Sequence, residues 1–280
     1  MHDPAAPMFA RIRNEIARVI VGQEEMIELM ILALFARGHV LLEGVPGLAK
    51  SLAVETFARA VGGEFKRFQF TPDKMPGDIT GTMVFNPHTR SFDYHRGPVF
   101  CNIFLADEIN RASPKVQSAL LQAMQERRVD AERETFPLPD PFMVLATENP
   151  VEQAGTYPLA EAQVDRFMVK VDVGYPAKGE EADLLRRKNA DFEARKAAVA
   201  AVASPAELRA LQDRIHDGVR VSRTVMDYIL TIVTATRPDG ASPAVPDAVR
   251  ENVRLGASPR AAEFMLALVK ARAFSRGRGF

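Results

Sequence analysis

Apolar side chains recur at helical spacing from Phe9 to Ile20 (Phe9, Ile12, Ile16, Val19, Ile20), and a second helical pattern runs from Glu24 to Ala36. Gly22 separates the two. The texture then changes: His39-Val40-Leu41-Leu42-Glu43 is a short apolar run that empties into Gly44-Val45-Pro46-Gly47, with helix-forming Ser51 to Val61 behind it. That order predicts strand, loop, helix. A second run, Asn102 to Ala106, ends in Asp107-Glu108 and precedes a helical Ser113 to Gln125; a third, Phe142 to Ala146, ends in Thr147-Glu148-Asn149-Pro150. Continuous apolar strands alternating with helices predict a parallel sheet buried on both faces. Ligands of such sheets sit beyond the carboxyl ends of the strands, where all three polar clusters fall.

Phe167 to Val173 reads as a last strand, after which Gly174-Tyr175-Pro176 breaks the pattern and the rest is helical. Helices are predicted over Gly179–Arg195, Pro205–Asp217, Arg223–Arg237 and Pro259–Ser275. The expected organisation is a core over 1–176 and a small all-helical domain over 177–280. A length of 280 residues agrees with about two domains at roughly 150 residues each. Composition adds exclusions: 47% hydrophobic and 26% charged residues describe a globular chain. Lys plus Arg and Asp plus Glu both number 36, so no overall field draws it to nucleic acid or an anionic membrane. The lone Cys101 permits no internal disulfide. Met1-His2-Asp3-Pro4 begins no signal peptide, and no run approaches about 18 apolar residues, so a cytoplasmic location without membrane insertion is expected.

Gly44-Val45-Pro46-Gly47-Leu48-Ala49-Lys50-Ser51 has the P-loop pattern, in which backbone N–H groups wrap phosphates at a helix N-terminus. Lys50 would reach the β- and γ-phosphates of ATP, and the Ser51 hydroxyl would ligate Mg2+. Ala49 stands where glycine is usual; an alanine with negative φ in the first helical turn would be tolerated. Asp107 can hold magnesium through water while Glu108 activates the attacking water. An acidic pair closing a strand is commonly a solvated turn, and the upstream P-loop is what favours the catalytic reading. Asn149 closes the next strand and could bond the γ-phosphate or the water. The histidines His2, His39, His88, His95 and His216 show no metal-ligand spacing.

Taken together, Leu41 to Lys50, Ala106-Asp107-Glu108-Ile109-Asn110-Arg111-Ala112, Gln117 to Leu121, Ala146 to Pro150 and Glu161-Ala162-Gln163-Val164-Asp165-Arg166-Phe167 resemble the MoxR family of AAA+ ATPases, from about Val21 onward. The resemblance implies an α/β P-loop NTPase core, an αβα sandwich, with a helical lid and commonly a hexameric ring holding ATP between neighbours. It implies that Arg166 is an arginine finger for the neighbour's ATP and that Arg260, in Gly256 to Ala261, is the sensor-two arginine of the lid. Arg111 is a further interface candidate, and Val21-Gly22-Gln23 matches the segment that flanks adenine. The family pattern continues past the stretch matching Ser275–Phe280, so a lid cut short is among the expectations.

Thr82 to Tyr94 reads as a hairpin turning around Asn86 to Arg90, within an insertion over 71–98. A second hairpin is expected over 127–139, with Glu132 where the family often has glycine. In related motors such loops face a central pore. The resemblance implies a chaperone-like ATPase acting on protein clients, often with von Willebrand factor A domains. Two alternatives stay open: a nucleic-acid motor or transcription regulator, against which the neutral charge weighs, and a slow nucleotide-dependent binding switch.

Overall fold

The computed structural model describes residues 5–131, 134–151, 155–239 and 245–279. Met1 to Pro4, including His2, as well as Glu132 and Phe280, lie outside the described residues. The chain opens with helices α1 (Ala5–Ala17) and α2 (Glu24–Phe35). Of the predicted first helix, Val19 and Ile20 fall beyond its end, where they are still buried in the turn. A five-stranded parallel sheet follows, in the order β2 (Phe65–Gln69), β5 (Ile103–Asp107), β8 (Met143–Glu148), β1 (Val40–Glu43), β9 (Val169–Asp172). Two hairpins project from it, β3–β4 (Gly81–Asn86, Ser91–Arg96) and β6–β7 (Arg128–Ala131, Glu134–Pro137), and the short helices α4 (Pro76–Thr80) and α6 (Glu161–Val164) precede β3 and β9.

The central strands are apolar on both faces because both faces are covered. Val40, Leu42, Ile103, Leu105 and Leu145 enter one apolar cluster with α1, α2 and α3 (Lys50–Val61). Leu41, Phe104, Ala106, Val144 and Ala146 enter the other, with α5 (Pro114–Glu126). After β1 the chain crosses towards β2, and after β8 it crosses towards β9, so the crevice between β1 and β8 is a topological switch point.

Beyond β9 the described residues contain helices only. The predicted Gly179–Arg195 helix is interrupted: α7 (Lys178–Ala190) and α8 (Phe192–Ala197) meet at Asp191, whose φ of −141° is not helical. α9 (Pro205–Gly218), α10 (Arg223–Ala235) and α12 (Pro259–Ser275) lie close to prediction, and the short α11 (Asp247–Asn252) was not foreseen. α9 packs on α2, and α12 packs on α1 and α2. Leu208, Leu211, Ile215, Ala271 and Phe274 thereby join the apolar cluster that holds Met30 and Phe35. Among the described residues no helix is long and apolar enough to cross a membrane.

Candidate active site

The loop leaving β1 passes so close to β9 that a Cβ on Gly44 would lie 2.6 Å from the Val173 carbonyl oxygen, so a side chain there would displace the loop. Gly47 adopts φ +87°. The expectation for Ala49 is corrected: it caps α3 with φ +58°, in the left-handed region rather than the first helical turn. A non-glycine residue there costs roughly 1–2 kcal/mol, which explains why the pattern favours glycine. Lys50 turns back over the loop and donates to the carbonyls of Gly44 and Val45, the latter at 3.0 Å. Burial pulls its ammonium below the ordinary lysine range, opposed by Asp107, Glu108 and Glu43.

Asp107 ends β5 and is buried. Its carboxylate accepts from Ser51 Oγ at 3.1 Å, from Thr147 Oγ1 at 2.7 Å and from Arg67 Nε at 2.9 Å. Thr147 also accepts from the Glu108 backbone N–H at 2.8 Å, so the end of β8 fixes the turn that carries both acids. Glu108 has φ +57°, and its Oε2 accepts from Gln69 at 2.7 Å and Arg111 at 3.0 Å. Arg111, the further interface candidate, pairs with Glu108 of its own chain.

Asn149 follows β8 across the crevice. Its Oδ1 accepts from the Val151 N–H at 3.1 Å, which orients the amide and leaves a buried Nδ2 with no hydrogen-bond partner among the described residues. An unsatisfied buried donor costs about 1–3 kcal/mol, the sort of imbalance a bound ligand relieves. Nearby, burial and then the adjoining Glu43 push the Glu148 carboxyl up, while a hydrogen bond from Lys170 to Glu43 holds that lysine charged. Val21-Gly22-Gln23 lies on the β9 side: Gln23 Nε2 donates to the Gly174 carbonyl at 2.9 Å, and the Glu180 carboxylate fills the space where a Gly22 side chain would stand.

The structure therefore gathers Lys50, Ser51, Asp107 and Glu108 at the carboxyl ends of the strands, with Asn149 and the 21–23 segment bordering the same loops. Arg166 and Arg260 are not brought there. Arg260 pairs with Asp165 at 2.9 Å, and Met168, just beyond, donates to the His39 carbonyl at the beginning of β1. Both arginines line a cavity with His39 at the amino ends of the strands, the far side of the sheet from this chain's own P-loop. Arg260, the sensor-two candidate, thus lies at the edge opposite this chain's own P-loop.

Sequence reasoning missed Arg67 and Gln69. They stand on β2, whose Phe-Lys-Arg-Phe-Gln has neither the apolar continuity of a central strand nor clean alternation. The signal available was topological: the P-loop helix needs a following parallel strand, and its register places Gln69 opposite Asp107.

Residues 39–169 match the model of the ATPase family associated with various cellular activities (AAA). The chaperone MoxR1 of Mycobacterium tuberculosis is 47% identical over 95% of this chain and 69% of its own length. The protein MoxR of Methylorubrum extorquens is 31% identical over 96% of this chain and 81% of its own. The crystal structure of a candidate ATPase from Cytophaga hutchinsonii, 42% identical, superposes with a TM-score of 0.87 over 99% of this chain and 82% of that one.

Proposed function

Because the chain belongs to the MoxR family of AAA ATPases, we propose that it is a magnesium-dependent ATP hydrolase that remodels, assembles or activates other proteins as a ring of copies. The observation that carries this reading is the convergence of Ser51, Asp107, Glu108 and Thr147 beside Lys50. Lys50 exchanges its loop carbonyls for phosphate oxygens, and the N-terminus of α3 faces the same anion. Ser51 and Asp107 form a donor set of one hydroxyl and one carboxylate, which suits an ion that keeps several waters. They would hold magnesium, which when bound neutralises phosphate charge. Glu108 polarises the attacking water, with Gln69 and Arg111 holding its carboxylate in place. The spare Asn149 Nδ2 donates to the γ-phosphate or that water.

Residues 1–176 serve as the ATPase core and 177–280 as the lid, with Val21, Gly22 and Gln23 beside adenine. Arg166 is supplied to the ATP of a neighbouring copy in a hexamer, and Arg260 goes with it, because both lie on the edge away from their own P-loop. The clients are proteins, von Willebrand factor A domain proteins among them, in the cytoplasm. The β3–β4 hairpin supports a gripping role: Phe85 and Phe92 are exposed, with ring centres 5.3 Å apart. Glu108→Gln should bind ATP normally, lose turnover by about 10²–10⁴-fold, and retain clients in an ATP-dependent affinity capture. Wild-type turnover in that variant moves catalysis to another residue, and capture of nucleic acid in place of protein selects the nucleic-acid motor.

A further inference from the structure

The cavity that holds Arg166 and Arg260 has two more guanidiniums in its lining, Arg37 and Arg127, and no carboxylate among the described residues. The four come from separate parts of the chain: the turn before β1, the turn between α5 and the β6–β7 hairpin, the turn before β9, and the first turn of α12. Acidic partners stand outside the lining. Asp165 pairs with Arg260, Asp213 pairs with Arg37, and Asp140 faces Arg127 electrostatically. No described side chain makes an ion pair with Arg166.

Backbone conformation supplies a second, independent observation. Arg37 and Arg127 follow the ends of α2 and α5 with φ of +60° and +53°. Glycine is the residue favoured at such helix ends, and a side chain costs roughly 1–2 kcal/mol there. Two such positions, at two unrelated helix ends, both carry arginine and open onto the same cavity. Of the other non-glycine residues with positive φ, Gln23, Ala49 and Glu108 belong to the nucleotide edge and Arg90 to the β3–β4 turn. Arg127 also donates from Nη2 to the Arg37 carbonyl at 2.7 Å, which holds the two turns at a fixed spacing. Burial, and to a lesser degree the Arg37 charge, disfavours the charged form of Arg127, Asp140 opposing both, and a bound anion would favour it further. Four guanidiniums lining one cavity, with their acidic partners outside that lining, form a receptor for a multiply charged anion.

We propose that Arg37 and Arg127 act with Arg166 and Arg260 as one four-guanidinium receptor for the polyphosphate of a nucleotide held in the P-loop of a second copy of this chain. The proposal rests on the reading that Arg166 serves a neighbour, and adds two ligands to it. One consequence is mechanical: Arg127 is the residue from which the β6–β7 hairpin starts, so the anion is read at the root of that hairpin.

The test uses glycine, which removes the side chain at a backbone position that glycine prefers. In a Lys50→Ala background, which disables the chain's own P-loop, inorganic tripolyphosphate is titrated by calorimetry. Arg37→Gly and Arg127→Gly should each weaken binding about tenfold, the loss expected for one charge-assisted contact. Their melting temperatures should stay within a few degrees of the parent, because relief at the turn offsets the lost contacts. Unchanged tripolyphosphate affinity in both variants overturns the proposal, as does a collapse of melting temperature with the loss of binding, which would make the arginines structural. A co-assembly arm separates the neighbour's nucleotide from free polyphosphate. Lys50→Ala copies should restore hydrolysis to Arg166→Ala copies, and Lys50→Ala copies that also carry Arg37→Gly and Arg127→Gly should restore far less. Equal restoration overturns the assignment to the neighbour's ATP. No restoration by either overturns the underlying reading of Arg166 instead.

Discussion

Where the strands of the sheet end, the chain gathers carboxylates around Lys50; where they begin, it gathers arginines around His39. The carboxyl edge carries Glu43, Asp107, Glu108 and Glu148 with Lys50, Lys170, Arg67 and Arg111, and its hydrogen bonds are already arranged around a buried aspartate. The amino edge carries Arg37, Arg127, Arg166 and Arg260 over an imidazole that burial, and then Arg127, push down to about 3. The 36 acidic and 36 basic residues are thus unevenly placed, with an arginine-lined cavity where the strands begin and a buried aspartate where they end. If copies assemble as proposed, each carries parts of two active sites rather than one whole site.

The nucleotide edge is broken most severely at Lys50. Lys50→Ala should weaken ATP binding about 10–100-fold in a calorimetric titration, since a methyl group replaces charge-assisted bonds to phosphate. Near-normal affinity would remove the P-loop assignment. The arginine edge is probed by pH. His39 is neutral in the fold, where it accepts from the Val144 N–H at 2.9 Å and faces the Met124 carbonyl at 3.2 Å. Its pKa is lowered to about 3 from an unfolded value of about 6.5, so between these pH values the unfolded chain binds the extra proton. Stability should therefore fall as pH drops from about 6.5 towards 3, by up to ~1.4 kcal/mol per pH unit from this group. His39→Asn should cost about 1–3 kcal/mol at pH 7 in urea melts while making the acid slope shallower. An unchanged slope would show that His39 does not set the acid limit. The smallest effect belongs to Ala49→Gly, which relieves the left-handed alanine and should alter stability by no more than about 1 kcal/mol, in the stabilising direction. A loss of more than that would mean that the alanine methyl makes a contact worth more than the strain.

How far the sequence could be read follows from the range over which each signal acts. The P-loop, Asp107-Glu108 and Asn149 were legible because each is a short polar cluster at the end of an apolar run, and the chemistry needs those residues adjacent in sequence. Both hairpins were legible from strand-like runs on either side of a turn; in the first, Asn86 Oδ1 accepts from the His88 N–H at 3.0 Å. Ala49 was misjudged because propensity says nothing about the φ a phosphate loop demands. Arg67 was invisible because an edge strand needs little apolar content. Arg37 and Arg127 gave no local sign at all: only the register of β1 against β9 and the packing of α12 bring them to Arg166 and Arg260. Arg260 could be picked out by its motif, but which side of the sheet it faces depends on where the lid helices dock.

Mixed subunits test most directly whether the two edges of neighbouring copies complete one site. Arg166→Ala alone should keep ATP affinity and lose turnover by roughly 10³-fold or more, the scale of arginine-finger effects. Lys50→Ala alone should be inactive for want of nucleotide. Co-assembled, the two should recover a fraction of wild-type hydrolysis, because some interfaces join an intact P-loop to an intact arginine edge. Mixed oligomers verified by sedimentation with ATP that nevertheless show no recovery would contradict the shared site.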